Sequence, residues 1–526
     1  MDARPWWQDC VIYQVYPRSF QDSNGDGIGD LRGVIARADY FAWLGIDAVW
    51  FSPFFTSPQA DFGYDISDYI DIDPCFGDLD AFDDLVAALH ARHIRVILDF
   101  VPNHSSNRHP WFLESRSSRR NSKRDWYIWR DPSAGGAPPN NWLSLAGGIS
   151  WEYDTTTRQF YCHSFLKEQP DLNWRNPAVR EAMHDVLRFW LDRGADGFRI
   201  DAIGCLGKDA QFRDDPLNPD YKPGDAPFMQ HRLVYSANGP QVMDFVAEMR
   251  AVVDAHSGEH VLIGETYLKP KELAVYYGTN LNGLQLPTNF NLLWTPWKPG
   301  AITETVAAYE AALPRGAWPD WVLGNHDQSR IASRLGQAQA RIAMMLLLTL
   351  RGTPTIYYGD ELGLKDVAIT PDQLRDPFGV NMPGIGQGRD PERCPMPWDE
   401  TPKGGFTTGD PWLPIGRNGP GSSVEAQRRD KKSVLSLTHQ LLALRRREPA
   451  LSRGTWSTVA IEGDALAYRR ALGERRFTIL LNLDDEPKPI SLPDPPGALV
   501  LSTHGDRRTI RQRLELAPNE GLIVEA

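Results

Sequence analysis

Short runs rich in β-branched or aromatic residues alternate along this chain with stretches of helical periodicity, and that alternation leaves few folds open. The runs are VIYQVYP from Val11, DAVWFSP from Asp47, RVILDFVPN from Arg95 and GFRIDAI from Gly197, followed by VLIGET from Val261, GLQLPTNF from Gly283, WVLGNHD from Trp321 and PTIYYGDE from Pro354. Helix-like segments such as DLDAFDDLVAALHARH from Asp78 and NPAVREAMHDVLRFWLDRG from Asn176 lie between them. The second has Pro177 in its first turn and Gly194 beyond its last, both boundary signals. Eight strands with interleaved helices predict an α/β fold, a closed (β/α)8 TIM barrel.

Two spacings exceed what a barrel loop needs. About seventy residues separate the third strand from the helix at Asn176, which predicts a small inserted domain over 105–172. A Pro/Gly-dense, loop-rich insertion runs from about 365 to 432. The barrel then comprises 1–104 and 173–452. From about Arg453 the alternation gives way to short strands joined by turns (WSTVAIEG, ALAYRRAL, RRFTILLNLDD, ALVLSTHG, GLIVEA), so 453–526 reads as a C-terminal antiparallel β-domain.

Composition removes whole classes of function. With 56 basic against 68 acidic residues the net charge is −12, which speaks against a nucleic-acid partner. The longest apolar run, Ile342 to Leu350, is too short to span a bilayer and reads as a buried helix, so no membrane partner is expected. Five cysteines, Cys10, Cys75, Cys162, Cys205 and Cys394, form no CxxC pair. Together with an N-terminus lacking a signal-peptide pattern, they point to reduced thiols and a cytoplasmic location.

Barrel active sites sit at the C-terminal ends of the strands. There the chain carries Asp99 and Asn103–His104, then Arg199 and Asp201, then Glu265, then Asn325–His326–Asp327. No Walker GxxxxGK and no HExxH accompanies them. Converging carboxylates bind metals, share a proton in proteolysis or cleave glycosidic bonds, and two flanking carboxyls are what glycoside hydrolysis needs. Arg199 stands two residues before Asp201, on the same strand face, where it would hold Asp201 ionised as a nucleophile. Glu265, less solvated and beside Asp201, would keep its proton as the acid, and Asp327 would bind sugar hydroxyls in the transition state. The plainer alternative is a structural Arg199–Asp201 ion pair with Glu265 capping a helix.

These residues stand in DFVPNH, GFRIDA, GET and NHD, which resemble the four conserved regions of the α-amylase family, glycoside hydrolase family 13. QPDLNW (Gln169 to Trp174) resembles the further signature of its α-glucosidase and oligo-1,6-glucosidase branch. Runs such as KRDWYIWRDP, GRDPER and LGNHDQ resemble bacterial α-glucosidases of the Thermus type, and the likeness covers essentially the whole chain. It implies a retaining double displacement with Asp201 as nucleophile, Glu265 as acid/base and Asp327 as transition-state stabiliser. It also implies a sugar pocket of His104, Arg199 and His326, with Asp61 and Tyr64 at the terminal glucose, Arg389 on its far hydroxyls, and Phe165 lining the wall. Ala202 goes with α-1,4 rather than α-1,6 linkages in such relatives. The expected activity is therefore an exo-acting α-glucosidase on small maltose-like α-glucosides, with transglucosylation. The alternatives are a glucosyltransferase or isomerase of the same family (a trehalose synthase or sucrose isomerase), an oligo-1,6-glucosidase, or a non-catalytic transporter partner. Against these relatives GCLG (Gly204 to Gly207) is small, which predicts a wider acceptor side, and RCPMPW (Arg393 to Trp398) replaces RTPMQW, which predicts an altered aglycone entrance.

DSNGDGIGD, Asp22 to Asp30, sets oxygen ligands at positions 1, 3, 5 and 9 with Gly27 at 6, the front half of an EF-hand loop, but position 12 is Gly33 rather than Glu. A turn without metal fits equally well. The resemblance implies structural Ca²⁺ (or Mg²⁺) on Asp22, Asn24, Asp26, the carbonyl of Ile28 and Asp30, away from the carboxylates, and no catalytic cofactor.

Overall fold

The computed structural model describes residues 4–386, 388–507 and 509–526. Eight parallel strands form one sheet: β1 (Ile12–Val15), β2 (Ala48–Phe51), β3 (Arg95–Phe100), β4 (Gly197–Ile200), β5 (Val261–Gly264), β6 (Leu286–Pro287), β7 (Asp320–Val322) and β8 (Thr353–Tyr357). Their order is β6-β5-β4-β3-β2-β1-β8-β7, and β1 meets β8 in parallel from Ile12↔Thr355 to Gln14↔Tyr357. This is the predicted (β/α)8 architecture, with every strand shorter than the run that announces it. No ladder joins β6 to β7 among the described residues. The two-residue β6 ends on Pro287, which has no N–H to give.

Helices take their ends from the expected residues. The Asp78 carboxylate accepts the N–H of Ala81 at 2.8 Å and opens α1 (Leu79–His90). Helix α1 buries Phe82, Leu85, Val86 and Leu89 against the sheet, roughly 1.5–3 kcal/mol for each large side chain. Asn176 caps α2 (Pro177–Asp192), and Gly194, at φ 94°, turns the chain away after it. The apolar run at 342 belongs to α3 (Gln337–Thr349), buried almost all round. No helix among the described residues is long and apolar enough to cross a membrane.

Between β3 and α2 the chain leaves the barrel. Trp129–Arg130, Trp151–Asp154 and Gln159–Cys162 make a three-stranded sheet around Ile128, Trp142, Trp151 and Phe160. At the C-terminus a five-stranded antiparallel sheet follows, its longest ladder pairing Leu466–Leu472 with Arg475–Leu481. A further two-stranded ribbon, Lys488–Ser491 with Arg513–Leu516, has no counterpart among the sequence-based strands. The 365–432 segment is mostly loop, and its stretch from Arg389 to Trp398 runs buried into the barrel mouth.

Candidate active site

Adjacent strands bring the first group of residues together. Asp99 and Arg199 are register partners across β3 and β4. Asp201 and Glu265 extend the neighbouring strands, their N–H groups donating to Phe100 O (2.8 Å) and Ile200 O (3.0 Å). One guanidinium then joins three acids. Arg199 Nη1 donates to Asp99 at 2.9 and 3.1 Å and to Asp201 Oδ1 at 2.8 Å, while Nη2 lies 2.7 Å from Glu265 Oε1. Its Cζ stands 5.1 Å from the centroid of the Trp50 ring below. Glu265 is held on both oxygens, Oε2 by the N–H of Ala202 (3.0 Å) and Oε1 by the Tyr267 hydroxyl (3.0 Å).

Burial and mutual repulsion compete with Arg199 in setting the charge of this cluster. Burial pushes Asp201 well above the usual carboxylate range, and Glu265 and Asp99 push it the same way against the pull of Arg199. Asp99 is likewise lifted by burial, to about 6, despite Arg199. A single cation facing three buried carboxyls favours retention of a proton within the cluster.

The loop after β7 supplies the opposite wall. Asp327 Oδ1 accepts from Arg393 Nη2 (2.8 Å) and Arg389 Nη1 (3.2 Å), and Oδ2 lies 3.3 Å from His326 Nε2. Burial raises Asp327, but His326, Arg389 and Arg393 outweigh it and hold the carboxylate below its ordinary range. The Gln14 amide donates to His326 Nδ1 at 2.8 Å, leaving Nε2–H for the Tyr64 hydroxyl at 2.6 Å; that hydroxyl in turn donates to Asp99 at 3.1 Å. Tyr64 stacks flat on His326, with centroids 5.5 Å apart at 5°. Burial drives His326 well below its ordinary value and His104 down to about 4, which favours the neutral form of both rings.

Arg389 closes the pocket. It reaches Asp61 at 2.6 Å, Asp327 at 3.2 Å and Asp376 at 2.7 Å, and packs 4.0 Å from the centroid of Phe378. Gln169 donates to the second Asp61 oxygen at 3.1 Å. His104 sends Nε2–H to the Tyr64 carbonyl at 3.1 Å and lies 5.2 Å from Phe165, ring to ring. All ten predicted catalytic and substrate-pocket residues thus lie in one connected cluster at the strand ends.

Residues 14–454 match the family model for the α-amylase catalytic domain. The chain belongs to the α-amylase family. This glycoside hydrolase is 43% identical over 509 residues to a probable α-glucosidase of Rhizobium meliloti, covering 93% of this chain and 91% of that protein. It is 38% identical over 530 residues to an oligo-1,6-glucosidase of Parageobacillus thermoglucosidasius, covering 93% and 92%. Its fold superposes on an α-glucosyl transfer enzyme, XgtA, with TM-score 0.94 at 40% identity, covering 99% and 100% of the two chains. For the trehalulose synthase MutB of Pseudomonas mesoacidophila MX-45 the TM-score is 0.90 at 33% identity, with the same coverage.

Within this family member, some functional contacts come from residues that sequence reasoning left out. Arg393, fully buried, binds both Asp327 and the His326 carbonyl (2.8 Å). It opens the RCPMPW run, whose altered positions drew attention instead of its arginine. The two altered positions of that run, Cys394 and Pro397, are both buried, beside Trp398, whose Nε1 donates to Phe20 O. Tyr267 is the other omission, and Gln14 a third, signalled only by a polar residue at an inward position of β1. Around the glycines of GCLG the chain is closely packed. A Cβ at Gly204 would meet Asn238 Oδ1 at 2.5 Å, and one at Gly207 would meet Gly239 O at 2.7 Å, so residues 238–239 already fill that space.

The predicted cation loop folds on itself. Asp22 accepts the N–H groups of Asn24 (2.9 Å), Gly25 (2.7 Å) and Gly27 (2.8 Å), and Asp30 accepts those of Ser23 (2.8 Å) and Gly33 (2.7 Å). No three His, Cys, Asp or Glu side chains among the described residues gather as a metal would require. No cofactor takes part in hydrolysis by this family.

Proposed function

We propose that the chain is a retaining, exo-acting α-glucosidase that releases terminal α-glucose from small α-glucosides, with α-1,4 links of the maltose kind preferred. In this reading Asp201 attacks the anomeric carbon while Glu265 gives its proton to the departing glycosidic oxygen. One C–O bond forms as the other breaks, and glucose is left as an ester on Asp201. Glu265, now a carboxylate, takes a proton from water as the water oxygen displaces Asp201, and α-glucose leaves. Asp327, kept anionic by Arg389 and Arg393, stabilises positive charge developing at the ring.

The observation that carries the reading is the shared guanidinium of Arg199, bonded to Asp201 on one nitrogen and Glu265 on the other. Retaining enzymes hold their two carboxyls about 5–5.5 Å apart, a separation that one bridging guanidinium spans. The exo action rests on the Asp61–Arg389 pair, which walls the pocket behind the terminal glucose. Asp201→Asn tested on p-nitrophenyl α-glucoside decides the assignment: activity should vanish with the fold intact, and retained activity would overturn it.

A second reading, transfer of glucose to another sugar or isomerisation, is favoured by one observation. Beside Glu265, Tyr267 stacks on Phe290 at 4.5 Å and lies near Trp294, and Tyr267 and Trp294 are half-exposed. Such a platform suits an acceptor sugar. Product profiles on maltose, isomaltose, sucrose and trehalose separate the readings.

The same proposal assigns 1–104 and 173–452 to the catalytic barrel, 105–172 to an inserted domain and 453–526 to a C-terminal domain. It assigns Asp22, Asn24, Asp26, the Ile28 carbonyl and Asp30 to a structural Ca²⁺ or Mg²⁺, supported by the spacing of these oxygen-bearing residues along the loop. A cytoplasmic location is supported by five free thiols.

A further inference from the structure

Behind the sugar pocket lies a second buried charge pair to which the hydrolytic scheme gives no task. Lys208, 3% exposed, follows the loop that leaves Asp201. Its Nζ lies 3.0 Å from Asp171 Oδ2 and donates to Asn103 Oδ1 at 3.0 Å and to the Cys205 carbonyl at 2.5 Å. Asn103 completes the ring: its amide donates to Asp171 Oδ1 at 2.8 Å and to His104 Nδ1 at 3.1 Å. Asp171 is further tied to Ser164, whose hydroxyl donates at 2.7 Å.

Each bond has a direction. An ammonium can only donate, so Asn103 must turn its carbonyl oxygen to Lys208 and its NH₂ to Asp171 and His104. His104 Nδ1 is thereby made an acceptor and its proton is placed on Nε2, where the Tyr64 carbonyl can take it although the Gln169 amide nitrogen stands equally close, each at 3.1 Å; Asn103 decides between the two. The same ammonium holds the Cys205 carbonyl, three residues before it on the loop from the nucleophile.

We propose that Lys208 is a positioning residue: through Asn103 it fixes the tautomer and orientation of His104, and through Cys205 it ties that setting to the loop behind Asp201. This rests on the sugar-pocket reading of His104 given above. A fully buried ion pair is poor evidence for stability alone, whereas a pair wired on both sides to pocket residues has a use for its cost.

The test is a double-mutant cycle on p-nitrophenyl α-glucoside. Lys208→Met with Asp171→Asn removes both charges together and should fold, with kcat/KM down roughly 10–100-fold. Adding His104→Ala should then cost less than threefold, although His104→Ala alone costs as much as the charge-free variant. Full multiplicative loss would overturn the proposal. If the charge-free variant does not fold, Asn103→Leu breaks the relay while keeping the Lys208–Asp171 pair, and must show the same non-additivity with His104→Ala. Histidine ¹⁵N NMR keeps the relay separable from the glucosidase reading. In the unmutated protein His104 Nδ1 should be unprotonated, and Asn103→Leu should release that restriction whether or not the protein hydrolyses the glucoside. An unchanged His104 signal in Asn103→Leu would sink the relay by itself.

Discussion

The N–H of Ala202 donates to Glu265 Oε2 at 3.0 Å, and Ala202 makes that bond from a left-handed backbone conformation, φ 44° and ψ 37°. The residue after the nucleophile therefore orients the acid/base through its main chain. A left-handed conformation is strained for any residue with a Cβ and worst for β-branched ones. Ala202→Val should lose about 1–3 kcal/mol of stability and misplace Glu265, lowering kcat. Ala202→Gly should keep the hydrogen bond and match or exceed the parent Tm. Thermal melts and kinetics on maltose and isomaltose test this; a Val variant as stable and active as Gly would refute it.

Asp327 is held by two arginines that would face each other without it. Asp327→Asn should reduce kcat about 10²–10³-fold, the scale of losing one preorganised electrostatic contact, with a smaller change in KM. A loss confined to KM would place Asp327 in ground-state binding only.

Tyr267 serves Glu265 by a hydrogen bond and presents half its surface to the acceptor side. Tyr267→Phe keeps the ring and loses the hydroxyl, so kcat should fall about three- to tenfold, as for one hydrogen bond of 0.5–1.5 kcal/mol. Tyr267→Ala should also cut transfer products relative to free glucose at high maltose, measured by product chromatography. An unchanged product ratio would remove the platform from acceptor binding.

Asp320, at the start of β7, is buried with neither carboxylate oxygen hydrogen-bonded among the described residues, and burial lifts it to about 8. Folded chains thus keep a proton there that unfolded chains release near the ordinary value. The contribution to stability is full below pH 4 and is lost as pH rises towards 8. Asp320→Asn should flatten that slope and raise stability near pH 8 by about 1–3 kcal/mol. Urea unfolding at several pH values reads it, and an unaltered slope would contradict it.

The proposed cation on the Asp22 loop has a direct check. Exhaustive EDTA treatment should lower Tm, Ca²⁺ or Mg²⁺ should restore it, and Asp22→Ala should abolish the response. A melt indifferent to chelator would show that the internal amide bonds of the loop suffice.

The barrel was legible because its signal is local: strand runs and helix caps such as Asp78 and Asn176 are read within a dozen residues. The residues at strand ends were legible for the same reason, since Asp99, Arg199, Asp201 and Glu265 each close a strand-like run. Apart from Tyr267, two residues from Glu265, what escaped depends on contacts across tens to hundreds of positions. Arg393 reaches Asp327 from 66 residues away, and Gln14 reaches His326 across 312. Beside Asp201 the text shows only the adjacent arginine; the burial and the two other carboxyls that push against it come from distant parts of the chain. The surroundings of Gly207 escaped for a related reason: only folding reveals that its backbone touches that of Gly239.

The missing ladder between β6 and β7 makes the barrel a cylinder with a seam. A closed ring of strands has no first bond to break, whereas this one has, and it runs beside the uncharged carboxyl of Asp320 and the two-residue strand ending in Pro287. Any breathing of the wall should begin along that line, one strand past Glu265 and on the far side of the cylinder from the β2–β3 ladder, so the acid/base end of the catalytic pair sits nearer to the yielding edge than the nucleophile does.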